Sequence, residues 1–298
     1  MSLKKIITVV LTYVAVSFAA WDGTTTLEPS VKTIDGNQYY AIGSPEELAW
    51  FAGKVNLRDT AISAILTADV DLNSKAWTPI GKDSEAAFDG VFDGNGHSIS
   101  GINVSNKMYA GLFGVIDVGT VKNLVVENSK INGYYVEGYY YYSFVGGVAG
   151  YAKSGSSIQN VTNRASIIAA TNKPSYGSTS YLYMGGVVGY AQGEIISCVN
   201  ESDLSQSYSS QYIGGIVGYA SNAKLNSLKN TGVITGVDYT GGVVGYAYYG
   251  NGANLNNDGK IVGKYRTGGI LGYGDDIQIS NAVNSGEVEG KRFVGGIC

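Results

Sequence analysis

The chain has 298 residues, a formal charge of −4 at pH 7, 43 glycines, 24 tyrosines and only 4 prolines. It is long enough for a large core. Its mild acidity, with no basic tract, argues against nucleic acid as a partner, and two cysteines exclude a disulfide framework.

Residues 1–19 read as a secretory leader. Lys4 and Lys5 form a basic start, Ile6 to Phe18 an apolar stretch too short for a comfortable membrane span, and Ser17 and Ala19 the small residues before a cut. Cleavage is expected after Ala19, with Ala20 as the alternative. Losing Lys4 and Lys5 takes the charge to −6. No later stretch is apolar enough to cross a bilayer, so no membrane span is expected in the mature chain.

Residues 20–106 are expected to form an N-terminal cap region of strand, helix and β-hairpin. Gln38 to Ile42 alternates as an edge strand does. Ser44-Pro45-Glu46-Glu47 opens a helix: Ser44 is the N-cap, Pro45 the first helical residue and Glu47 the partner in a capping box. Leu48, Phe51, Ala52 and Val55 follow at helical spacing, and an amphipathic helix here suits the open end of a repeat stack. Ala64 to Leu72 reads as a strand and Trp77 to Gly81 as an anchored turn. Phe88 to Asp93 and His97 to Ile102 flank Gly94-Asn95-Gly96, a pattern for strand, tight turn, strand.

Repeats occupy residues 107–298. The second glycine of a Gly-Gly pair falls at 111, 147, 186, 215, 242, 269 and 296. The last three intervals are 27 residues each, the mark of a stacked-repeat architecture. An asparagine recurs at 128, 163, 200, 230, 257 and 284, and an apolar residue four places later at Ile167, Leu204, Ile234, Ile261 and Val288. Each repeat thus carries a Gly-Gly-Val strand, a strand ending at the asparagine and a strand around the later Ile, none at helical spacing. The expected fold is all-β: a right-handed parallel β-helix, or solenoid, of about seven coils with a short N-terminal capping helix, about 30 Å long at ~4.8 Å per rung. A β-propeller is the runner-up, although its blades need more residues. Cys198 and Cys298 occupy positions held by apolar residues in other repeats and read as packing residues. The chain stops inside a repeat, which predicts missing coils and self-association through an unpaired C-terminal coil.

At these residues the chain resembles a known family. Gly111-Leu112-Phe113-Gly114 and the Gly-Gly-Ile/Val-Val-Gly-Tyr copies look like the GLUG repeat of secreted and surface-exposed bacterial proteins, adhesin-like and IgA-protease-like ones among them. Phe88 to His97 and Ser44 to Ala52 resemble segments that precede such repeats. The resemblance spans about residues 40–298 and implies a β-helix, export and surface adhesion. It carries no catalytic residue to transfer.

Asp69, Asp71, Asp89 and Asp93 are read as turn chemistry, with calcium binding or paired-carboxylate catalysis as the sharper alternative. His97 is the sole histidine, which disfavours triads and multi-histidine zinc sites. No catalytic residue, metal or cofactor is expected. Two tyrosine ladders are expected, at 151, 190, 219, 246 and 273 and at Phe144, Tyr183, Tyr212, Tyr239, Arg266 and Phe293. They can stabilise neighbouring coils or stack on sugars. Three early repeats carry insertions at one corner, rich in tyrosine: Tyr134, Tyr135, Tyr139, Tyr140, Tyr141 and Tyr142, then Tyr176, Tyr181 and Tyr183, then Tyr208 and Tyr212. Insertions in repeat proteins map to loops on one face, often the binding face. These residues form the candidate ligand-binding lip. The expected function is non-catalytic adhesion or glycan contact outside the cell, with polysaccharide or a cell-surface glycan as partner. The alternatives are a recognition or spacer module of a larger exported enzyme, or a polysaccharide lyase or hydrolase.

Overall fold

The computed structural model describes residues 20–133, 140–168, 179–206 and 211–298. The expected leader lies outside them. The described chain is all-β apart from one helix, and its strands form one sheet of 22 strands and one of seven.

Strand β1 (Ser30–Ile34) pairs antiparallel with β2 (Asn37–Ile42) around Asp35 and Gly36, both at positive φ. From β2 onward the pairing is parallel. Ala41 pairs with Ile65, Ile65 with Asp93, Asp93 with Lys122, Lys122 with Gln159, Gln159 with Ile196, Ile196 with Asn226, Asn226 with Ala253, and Ala253 with Ser280. Each step is about one repeat. This single column explains the whole architecture, because like residues of successive repeats stand side by side and their apolar side chains stack into one continuous core.

The column corrects three expectations. Pairing crosses 106/107 without a break, so residues 38–106 belong to the same stack and the rungs exceed seven. Residues 88–102 are no hairpin. Val91–Asp93 and Ser98–Ser100 each pair with strands of other rungs and not with one another. Asn95 and Gly96 do adopt positive φ, but they turn a corner within one rung, and Phe92 and Ile99 on its two sides both face the core. Asn128 is not the counterpart of Asn163. Val126 is, and Asn128 lies at a bend with φ 46°.

Helix α1 (Pro45–Asn56) forms with Ser44 as its N-cap, but Glu47 reaches back to the amide one residue before the cap and not to that of Ser44 as a capping box would. Ser44 Oγ accepts the Glu47 amide at 3.3 Å, and Glu47 Oε2 accepts the Gly43 amide at 2.7 Å. Leu48, Phe51, Ala52 and Val55 are buried, and the Phe51 ring meets Tyr40, Phe88 and Phe92. Ser44→Ala is expected to cost about 1 kcal/mol in urea unfolding, the usual value of a lost N-cap. An unchanged denaturation midpoint would show that tertiary packing alone holds the first turn.

The Gly-Gly pair lies at a bend, not within one strand. Tyr239–Gly241 belongs to the seven-stranded sheet and Val244–Asn257 to the large one, with Gly242 and Val243 between them. Both residues after the pair point inward: Val243 and Val244 are fully buried, as are Ile216 and Val217. Inside this bend runs an asparagine ladder. Asn163, Asn200, Asn230 and Asn257 each donate Nδ2 to the Oδ1 of the next asparagine, at 2.9, 2.8, 2.8 and 2.8 Å, ending at Asn284. The same amides also donate to a carbonyl two residues on, as Asn230 does to Gly232 at 2.8 Å. The first four are fully buried, so the ladder meets the demand that interior polar groups be paired.

Cys198 is buried, and burial pushes its thiol up to about 12. Cys298, expected inside, is exposed on the last rung.

Candidate functional site

Where the two sheets meet, their outer faces carry the aromatic residues. Strand alternation sends Val145, Met184 and Ile213 of the seven-stranded sheet into the core and the rings beside them outward. Phe144, Tyr183, Tyr212 and Tyr239 stack at centroid spacings of 5.1, 5.1 and 4.8 Å, with Tyr109 extending the row at 5.1 Å. Arg266 continues it by lying over the Tyr239 ring at 4.8 Å. Across the corner Tyr190, Tyr219, Tyr246 and Tyr273 stack at 5.1, 4.9 and 5.1 Å. The ladders interlock edge to face, as Tyr212 does with Tyr219 (5.3 Å, 84°) and Tyr246 (5.6 Å, 89°). Such pairs each add about 0.5–1.5 kcal/mol beyond area burial.

This geometry limits what the regular ladders can do. Tyr212 and Tyr219 each have a ring neighbour on both faces, from the preceding and the following repeat. They offer solvent an edge and a hydroxyl, not the free face on which a sugar ring stacks. Their burial also raises their pKa. Desolvation, then neighbouring phenols, pushes Tyr151 and Tyr212 up to about 12, and Tyr183 and Tyr219 further. An unfolded tyrosine titrates near 10. The stabilisation from these groups is therefore fully present below about pH 10 and lost as pH rises through about 12. A titration followed by phenolate absorbance and circular dichroism should show a late tyrosine class ionising together with unfolding. Uniform titration near pH 10 with the fold intact would contradict it.

The proposed lip is distributed differently. Tyr134, Tyr135, Tyr139, Tyr176 and Tyr208 lie outside the described residues. For Tyr140 and Tyr141 only the strand Tyr140–Gly146 is described; it pairs in parallel with Thr179–Gly185 over all seven residues, so the first two insertions prolong the seven-stranded sheet. Tyr183 and Tyr212 belong to the regular ladder, and Tyr183 is only 9% exposed. Tyr142 and Tyr181 form a second row beside it, stacked at 5.5 Å and 16°. Tyr142 is 41% exposed and stands at the outer end of that row.

The acidic residues are engaged in turns. Asp71 Oδ1 accepts the Asn73 amide and Asp93 Oδ1 the Asn95 amide, both at 2.8 Å; Asp89 accepts from Thr60. Asp69 accepts the Ser98 amide at 2.9 Å and faces His97 at 3.2 Å, contacts that hold its carboxyl below the usual range. Among the described residues no three His, Cys, Asp or Glu side chains cluster as metal ligands would, and no helix is long and apolar enough to cross a membrane.

Sequence reasoning missed the exposed pair Tyr248 and Tyr249, whose rings meet at 4.3 Å, and a polar cleft lined in part by Gly250 and Asn251, the residues that follow them. The adjacent tyrosines followed by Gly250-Asn251 were a readable signal, but outside the compared landmarks.

No family model matches the chain. An alignment 109 positions long, which covers 33% of this chain and about 1% of the other protein's length, shows 34% identity to Halomucin of Haloquadratum walsbyi. Among solved structures, that of a "putative immunoglobulin A1 protease" from Bacteroides ovatus is similar with a TM-score of 0.52 at 19% identity, over 89% of this chain and 72% of that one. At that identity the likeness is one of fold.

Proposed function

We propose that the protein is a secreted or cell-surface repeat protein that contacts glycans without catalysis. In this reading the chain winds as a right-handed parallel β-helix of the GLUG type, and its aromatic lip is the contact surface. The observation that carries the reading is the position of Tyr142. Tyr183, Tyr212 and Tyr219 are each stacked between two neighbouring rings, whereas Tyr142 ends its row, is exposed, and is backed by Tyr181. An exposed ring backed by a second ring suits the apolar face of a pyranose. Similarity to a protein named a mucin supports a place outside the cell. The engagement of Asp69, Asp71, Asp89 and Asp93 in turn and strand contacts supports a non-catalytic role.

The likeness to the Bacteroides ovatus structure favours a second reading, a recognition or spacer module within a larger exported enzyme. Both readings place binding on the lip. Replacing Tyr142 and Tyr181 with serine is expected to weaken retention on a responsive polysaccharide about tenfold or more, while the unfolding temperature moves by only a few degrees. Wild-type retention by the folded double variant would remove the lip from the account.

A further inference from the structure

We infer a second binding site, for a neutral oligosaccharide, in a cleft on the large sheet away from the lip. It arises from one short corner. Between the paired positions that flank this corner, Ala152 and Ser157 enclose four residues and Ala220 and Lys224 enclose three. Ala191 and Glu194 enclose only Gln192 and Gly193. The rung between is thus recessed against both neighbours, and Gly193 lets it lie close against Ser156, whose carbonyl oxygen a Cβ would meet at 2.4 Å. The result is a cleft of about 440 Å³, within the range of small-molecule sites.

The lining sets the ligand class. Ser154, Gln192, Glu194, Asn222, Lys224 and Asn251 supply hydroxyl, carboxamide and charged groups, and polar surface outweighs apolar in the lining. Glu194 and Lys224 are ion-paired at 2.8 Å, so the cleft presents no net charge for an ionic ligand to answer. Gln192 accepts the Tyr151 hydroxyl at 2.5 Å, which fixes its amide and leaves its NH2 to donate. The carboxamides of Asn222 and Asn251 are exposed, and make no hydrogen bond among the described residues. Tyr248 and Tyr249, 37% and 45% exposed, immediately precede the lining residues Gly250 and Asn251. Paired donors and acceptors without net charge match a polyhydroxylated neutral chain. The inference rests on the carbohydrate reading above but uses none of its residues.

The test is site-resolved. Backbone amide NMR of the protein is followed while neutral tetrasaccharides of glucose, xylose and N-acetylglucosamine are added to about 10 mM. At least one sugar is expected to give saturable shifts at Gly155, Gln192, Gly193 and Asn222. Asn251→Ala and Asn222→Gly, the latter keeping the positive φ of 53°, should each weaken that binding about tenfold at unchanged unfolding temperature. Ser154→Trp, which fills the cleft from its exposed rim, should abolish it. Shifts confined to Tyr140–Gly146 would overturn the cleft and leave the lip reading standing. Shifts confined to the cleft would support it and count against the lip. Absence of cleft shifts with every sugar, or cleft shifts unaltered in all three variants, would overturn the inference.

Discussion

Gly242→Val is expected to lower stability by about 3 kcal/mol or more, a fall of roughly 5 °C or more in unfolding temperature. A Cβ at this position would stand 2.1 Å from the Gly269 carbonyl oxygen and 2.5 Å from Asn257 Cγ. Neither neighbour can yield. The carbonyl is backbone of the next rung, and Asn257 is fixed by its bonds to Gly259 and Asn284. Gly147, Gly186, Gly215 and Gly269 meet the same pair of obstacles. The glycine therefore recurs because the asparagine ladder and the adjoining rung leave no room for a side chain. Gly296 meets nothing within 4 Å, so Gly296→Val is the matched control, expected to change stability by less than about 0.5 kcal/mol. Equal unfolding temperatures for the Gly242 variant and wild type would break this explanation.

Asn230→Ala should cost about 3 kcal/mol by a different route. Asn230 is fully buried, accepts from Asn200 at 2.8 Å, and donates to both Asn257 and Gly232 at 2.8 Å. Alanine leaves a donor and two acceptors buried and unpaired, and an unmet polar group costs more than its bond contributed. Asn254→Gly offers the comparison, since glycine keeps that residue's positive φ of 55°. Its amide also bonds to the neighbouring rung, with Asn226 at 3.0 Å, but it is exposed and water replaces the lost partner. Comparable losses from the two substitutions would mean that burial is not what gives the inner ladder its weight.

Particular residues show why part of this was legible in the sequence. The 27-residue spacing of Gly215, Gly242 and Gly269 and the stacking of Asn200, Asn230, Asn257 and Asn284 follow from one constraint, that each rung must repeat what its neighbour contacts. The cap at Ser44 is local chemistry and was equally readable. The early rungs were hidden because their contacts differ. Ile80 takes the place opposite Phe113, and Val126 the place opposite Asn163, so neither glycine pair nor asparagine marks them. Asn128, two residues from Val126, mimicked the landmark by identity alone. At the site, sequence placed the aromatic ladders but could not tell a ring stacked between two others from one at the end of its row. That depends on which rung lies on each side, and it separates Tyr142 from Tyr212. The cleft was hidden because it comes from the length of one corner, Ala191 to Glu194, seen only once the residues on both sides are paired.

The central claim, binding without cleavage, is tested most directly by incubating the protein with a panel of plant and microbial polysaccharides and reading retention and reducing-end release in the same samples. Retention on at least one polysaccharide, with no release of reducing ends above the blank, is the expected result. Release of reducing ends that grows with protein concentration would contradict the account, and so would a failure to be retained by any polysaccharide in the panel.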